Sequence, residues 1–277
     1  MLPRIDRPYG AWDHRLARFA PYSRAARAAW VLLLEWGRRG FDEGTVARRG
    51  MLATARAHLK RQVPDPALRE RLTPPYPLGC KRIIYSNDYL STLAGPKAEL
   101  VTDAIARVTR TGIVSADGRE RALDALVCAT GFDTVHLLST LEVTGLEGRT
   151  LRQAWAKGPE AYRGITVAGF PNLFLMLGPN TGTGHTSTLL YIEPEVRYAI
   201  ACMQAVLRGG HKWMAVREDV MRAHNAALQA RLQGSVWTHC RSWYRNDAGK
   251  VVALWPGFTR EYVRGLRRVR TEEYVFG

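Results

Sequence analysis

Lysine is scarce in this chain. Six of its 40 basic residues are lysine, and with 25 acidic residues the formal net charge is +15. A clustered excess of that size would point to nucleic acid or an anionic surface. Here the arginines run from Arg4 to Arg270 alongside abundant alanine, so the excess reads as a coding bias towards arginine. The densest run, "TREYVRGLRRVR", reads as a solvated face, and no nucleic-acid partner is expected. Cysteine is also scarce. Cys80, Cys128, Cys202 and Cys240 are widely spaced with no C-x-x-C pair, which predicts neither a zinc site nor a disulfide framework and suits a reducing compartment. Long apolar runs are missing. "AAWVLLLEWG" is too short to span a bilayer and charged residues close it, and no signal peptide is recognisable, so a soluble, cytoplasmic protein with no membrane partner is expected. The G-x-S-x-G elbow and the H-E-x-x-H pair are absent as well. Ser187 has only His185 two residues away, and the seven histidines form no compact ligand cluster, so hydrolytic and metal chemistry are both disfavoured.

What is present is ordinary globular material: 277 residues with 46% hydrophobic content can bury one large core or two modest ones. The apolar spacing predicts a helix over 23–39 with Gly40 as its stop, a second over 45–62, and a short one opened by Asp65-Pro66, an N-cap followed by proline at the first helical position. "TPPYPLGCKRII" is stiffened by its prolines and is expected to deliver Lys81 and Arg82 to a defined place. From Glu99 the period changes. Short β-type runs at "AELVT", "IARVT", "GIVSA" and "LDALVCAT", separated by Thr111-Gly112 and Asp117-Gly118, predict a β-meander. A strand over 172–177, a long helix from Ser187, a short strand at "KWMAV" and a helix over 219–232 complete the chain before an aromatic-rich tail.

The loop "GPNTGTGHTS" (178–187) lies between a predicted strand and a predicted helix, where a dinucleotide pyrophosphate would sit. Its spacing is wrong. Gly182 and Gly184 supply G-x-G, but Ser187 stands at the third glycine and no acidic residue follows about 20 positions on.

Taken in order, "PLGCKR", "ALVCATGFDT" and "GPNTGTGHTS" closely resemble flavin-dependent monooxygenases of the Baeyer-Villiger type. The resemblance continues through "MLPRIDRPYGAW", "CKRIIYSNDYLSTLAGPKAELVTDAI" and "HCRSWYRNDAGKVVALWPGFTREY", and so covers nearly the whole chain. It implies an enzyme that uses FAD, NADPH and O2 to insert oxygen beside the carbonyl of a ketone or onto a heteroatom. It implies that Arg82 lies over the flavin and stabilises a flavin peroxide anion, a task suited to a permanently charged guanidinium with fixed donors. Lys81 then helps to hold NADPH through its ribose phosphate, and Thr130 and Gly131 form the turn between the two nucleotide domains, near both cofactors. Gly178, Pro179 and Asn180 form a loop approaching the flavin ring, and Trp243 is the aromatic associated with the nicotinamide and with closure of the site.

The family holds each dinucleotide on a G-x-G-x-x-G turn and carries F-x-G-x-x-x-H-x-x-x-W between them. None of the three occurs here, and the chain resembles the C-terminal half of such an enzyme. The fold expected is α/β, a partial two-dinucleotide-binding-domain flavoprotein fold with a helical insertion and a β-meander. Residues 1–131 would be the remainder of the NADP-binding domain, with the insertion at 23–72, and 132–277 the C-terminal part of the FAD-binding domain. Val127 and the 172–177 strand would then lack their usual cover. Two readings follow: a monooxygenase, truncated or completed by a separately encoded N-terminal half, or a non-catalytic remnant or interaction module that keeps the fold.

Overall fold

The computed structural model describes residues 1–4, 7–131, 138 and 140–277. Helices dominate. Helix α1 (Ala11–Ala17) leads into α2 (Ala20–Gly37), which starts with proline in its first turn, where a missing N–H is harmless, and runs on as a short 3-10 turn, Arg38–Phe41. Helix α3 (Val46–Gln62) is capped by the Thr45 side chain, and α4 (Pro66–Leu72) by Asp65, whose carboxylate accepts from the amides of Ala67 and Leu68. A five-residue helix, α5 (Tyr89–Leu93), follows the Lys81–Arg82 segment.

The meander forms as an antiparallel sheet in the order β1 (Ile105–Val108), β2 (Gly112–Ser115), β3 (Glu120–Ala122). Gly118 turns the second hairpin at φ +80°, a conformation natural to glycine. Two of the expected β-runs do not pair. Residues 98–102 and 123–131 belong to no strand, and Val127, expected to lack its usual cover, is 84% exposed. An apolar run becomes a strand only when a neighbour offers it a ladder, and no described residue does so here. Residues 132–134, the end of "ALVCATGFDT", lie outside the described residues, as does the expected domain boundary.

After a single turn, α6 (Leu151–Ala154), the chain reaches 172–177, expected as a strand, which belongs to none and has Asn172 and Leu177 at φ +55° and +53°. Its amides are satisfied piecemeal: Asn172 donates to Met214 O, Leu175 to Ile165 O and Leu177 to a carboxylate. The long helix α7 (Leu189–Arg208), β4 (Met214–Val216), α8 (Glu218–Gln233), α9 (Thr259–Gly265) and β5 (Tyr274–Phe276) build the C-terminal part, with β4 and β5 antiparallel. One core gathers Ile165, Tyr191, Tyr198, Met214 and Tyr262, and a second gathers Phe41, Cys80, Trp237, Tyr244 and Leu254. The second core matters most for function, because it joins the helical insertion, the Lys81–Arg82 segment and the aromatic tail.

Burial depresses two histidines. His224 is lowered to about 4, first by desolvation and then by the charge of Arg163, and His185 is lowered mainly by desolvation. The unfolded chain takes up these protons near the ordinary histidine value of about 6.5 while the folded one resists, so stability is lost as pH falls from that value towards 4. For His224 the loss is up to about 3 kcal/mol. Urea unfolding between pH 7 and pH 4 should show His224→Gln flattening this slope; parallel pH profiles for variant and wild type would contradict it.

Candidate functional site

The segment bearing Lys81 and Arg82 is shaped from both sides. The Cys80 amide donates to Pro77 O at 3.1 Å, and the Arg48 guanidinium donates to Leu78 O at 3.2 Å. Gly79, at φ +89°, lies against the Phe41 ring, where any Cβ would collide with it. This turn buries Cys80 completely and leaves Lys81 and Arg82 exposed. Lys81 Nζ sits 4.7 Å above the Tyr76 ring. Arg82 makes no hydrogen bond or ion pair with any described residue.

The partner segment is the tail after α8. Arg245 donates to Thr238 O and Gly249 O, both at 2.9 Å, and folds 238–249 into a closed loop. Trp243 stands at its surface, 46% exposed, with its ring 4.4 Å from that of buried Tyr244. Burial pushes the Tyr244 hydroxyl above the ordinary tyrosine range, and the positive charge of Arg82 acts in the opposite direction, so the guanidinium is within electrostatic reach of this ring. The two segments are also joined covalently. Cys80 and Cys240 form a disulfide across 160 residues, with Cα atoms 6.1 Å apart. This corrects the expectation that the cysteines are unpaired: spacing rules see only local pairs, and these two meet through the second core.

The loop 178–187 reaches the same region through the backbone. Asn180 N donates to Val252 O at 2.8 Å, Gly182 pairs with Leu254, and Val252 N donates to Tyr244 O at 2.9 Å. Asn180 is buried and its side-chain amide donates to Val251 O and Leu254 O, leaving Oδ1 without a partner among the described residues. Pro179 is buried and Gly178 half-buried, with Gly178 pressed against the Gly164 carbonyl. The amides of His185 and Thr186 are taken by Thr183 Oγ1, so these two donors are not free for a phosphate. The threonines here serve another end: Thr186 bonds Thr259 at 2.8 Å, and the Thr259 amide donates to buried Glu35 of α2 at 2.6 Å, with His185 Nε2 3.5 Å from the same carboxylate. The structure therefore brings Lys81, Arg82, Trp243 and the 178–180 loop around one core. Thr130 and Gly131 are exposed and make no contact with that group among the described residues.

Sequence reasoning missed the residue that braces the loop. Glu195 of α7 is fully buried and accepts from the Leu177 amide at 2.9 Å, while Tyr262 Oη lies 2.8 Å from both Glu195 Oε1 and Arg163 O. One hydroxyl proton cannot serve two acceptors, but a protonated Glu195 can donate to Tyr262 while Tyr262 donates to Arg163 O. Desolvation raises the Glu195 carboxyl in agreement with this. Its stabilising contribution is complete below the ordinary carboxyl value and is lost as pH rises through the raised one. Glu195→Gln, which reproduces the protonated form, should unfold in urea at nearly the wild-type midpoint, and Glu195→Ala should lose about 2–4 kcal/mol. Equal losses in both variants would overturn the assignment.

A scan against models of protein families finds no match. The fold is nevertheless that of flavin-dependent monooxygenases. A steroid monooxygenase structure with bound NADP superposes with a TM-score of 0.74 at 28% identity, covering 85% of this chain and 46% of that one. A closed cyclohexanone monooxygenase superposes at 0.74 with 26% identity, covering 86% and 46%. In sequence, a Baeyer-Villiger monooxygenase of Pseudomonas aeruginosa is 38% identical over 272 residues, 97% of this chain and 51% of that protein. One from Streptomyces coelicolor is 37% identical over 291 residues, covering 99% and 54%. The chain is thus related along nearly its whole length to the Baeyer-Villiger family of flavin-containing monooxygenases, and it spans about half the length of the curated relatives it matches.

Proposed function

We propose that this chain carries the reacting end of a Baeyer-Villiger-type monooxygenase that uses FAD, NADPH and O2 on a small ketone or heteroatom substrate. The observation supporting this most is the meeting of Arg82, Lys81 and Trp243 around one core, in a chain whose relatives bear that name. The donor set fits the cofactors at this end. Arg82 presents a permanent charge, unpaired among the described residues, Lys81 a second cation suited to the ribose phosphate of NADPH, and Trp243 a flat exposed ring. It does not fit the pyrophosphates, because the sequence holds no G-x-G-x-x-G turn and the amides of Gly182, His185 and Thr186 are already bonded.

When bound, FAD activates oxygen with electrons from NADPH. The protein's part is positional and electrostatic. Arg82 holds positive charge where negative charge develops on oxygen, Lys81 anchors the nucleotide, and Trp243 covers the nicotinamide side. Gly178, Pro179 and Asn180 would form the loop that approaches the flavin ring, braced by Glu195. Thr130 and Gly131 link residues 1–131, the NADP-binding part with its helical insertion, to 132–277, the FAD-binding part. The pyrophosphate turns belong to a separate polypeptide half or to sequence beyond this chain. The test is incorporation of one atom of heavy-isotope oxygen gas into product, with NADPH consumed, across ketone and thioether panels. No oxygenated product in either panel, with FAD bound, would sink the reading.

A non-catalytic interaction module is the second reading, favoured by the unpaired and exposed 123–131 segment, with Val127 outermost.

A further inference from the structure

The disulfide lies at an unusual place. Cys80 is the residue before Lys81 and Arg82, and Cys240 is three before Trp243, so the bond joins the two segments that form the cationic and aromatic sides of the site. Each segment has its own anchors. Arg48 and Phe41 hold 78–80, and Arg245 closes 238–249. Between them, besides the bond, lie side-chain contacts of the second core, chiefly Ile83, Tyr244 and Trp237. Trp243 set aside, no hydrogen bond or ion pair of the described residues crosses from 80–83 to 238–245.

We propose that Cys80 and Cys240 are positioning residues whose bond fixes Arg82 against the Trp243–Tyr244 pair, and that its reduction by a dithiol releases the Lys81–Arg82 segment and weakens nucleotide binding there. The second half of this statement rests on the reading of Lys81 as an NADPH contact. The chemistry is thiol–disulfide exchange. One thiolate of the dithiol attacks the Cys240 sulfur, the more exposed of the two, and the S–S bond breaks with Cys80 leaving as thiolate. The second thiolate then displaces Cys240, the dithiol departs as its own cyclic disulfide, and two protons finish on the cysteine sulfurs. Cys202 cannot substitute as a partner: it is buried elsewhere, in the first core, and burial pushes its thiol up to about 12. Cys128 is exposed and free, so the test uses a Cys128→Ser background to stop shuffling.

The experiment compares the oxidised chain, the same chain reduced with dithiothreitol, and Cys240→Ser, which leaves the buried Cys80 sulfur in place. A fourth form, reduced and then bridged by one methylene between the sulfurs, is a rescue that no reductant opens. Amide hydrogen exchange is read by peptide. Opening should speed exchange about tenfold in 81–85 and 241–244 while α7 is unchanged, and the methylene bridge should restore slow exchange. Affinity for NADP+ should fall about fivefold with opening and return with the bridge. Uniform acceleration throughout the chain would mean a general brace and would overturn the proposal, as would no change in the two segments. Unchanged NADP+ affinity beside the local exchange change would overturn the switch. If no form binds NADP+ while exchange responds as stated, the positioning role stands and the switch, which needs a nucleotide bound to this chain, falls.

Discussion

Arg82→Ala is expected to lower oxygen transfer by about 10²–10³-fold in the enzyme completed by a pyrophosphate-binding half and loaded with flavin, while NADPH is still consumed. The argument is electrostatic. Arg82 is exposed, unpaired among the described residues and close enough to Tyr244 to be felt there, so its charge is not committed to holding the fold. A guanidinium in that position loses little by waiting for an anion and gains most when charge develops on oxygen. Arg82→Lys should fall between the two, since it keeps the charge and loses the planar set of donors. Product formation and NADPH oxidation measured side by side check this. A variant within about threefold of wild type in product would remove Arg82 from the chemistry. Equal loss of both rates would move its role to cofactor binding.

Gly178→Ala is expected to cost about 2–4 kcal/mol of stability or to prevent folding. A methyl group there meets the carbonyl oxygen of Gly164 and crowds Leu175, and the opposing strand cannot retreat, because Gly164 is itself at φ +72° with Thr181 and Pro179 against it. Two backbone segments meet with no room between them. Gly184→Ala is the control: its methyl would lie 3.1 Å from the edge of the Phe41 ring, a side chain that can shift. Urea midpoints of the two variants should differ clearly. A stable Gly178→Ala chain would mean the close approach is not needed for folding and would leave cofactor proximity as the reason for glycine.

Much of the local structure was legible because its causes are local. Thr45 and Asp65-Pro66 marked the starts of α3 and α4, Asp117-Gly118 marked a hairpin, and the "KWMAV" strand and the helices around 189–208 and 218–233 followed from apolar spacing. The failures share a cause. The 123–131 and 172–177 runs have strand composition, but pairing is decided by neighbours that composition does not name. The Cys80–Cys240 bond, the Glu35–Thr259 contact and the Glu195 brace each join positions distant in sequence, and no spacing signals them. At the site, family motifs singled out Arg82, Lys81 and Trp243. Their convergence, and the inward turn of the Asn180 side chain, needed coordinates.

The central proposal is a division of labour, in which these 277 residues would hold the reacting end of the cofactors and not their pyrophosphates. Its most direct test is to incubate the purified chain with excess FAD, pass it through gel filtration, and quantify flavin released on denaturation. The account predicts that FAD separates from the chain. One FAD retained per chain would contradict it.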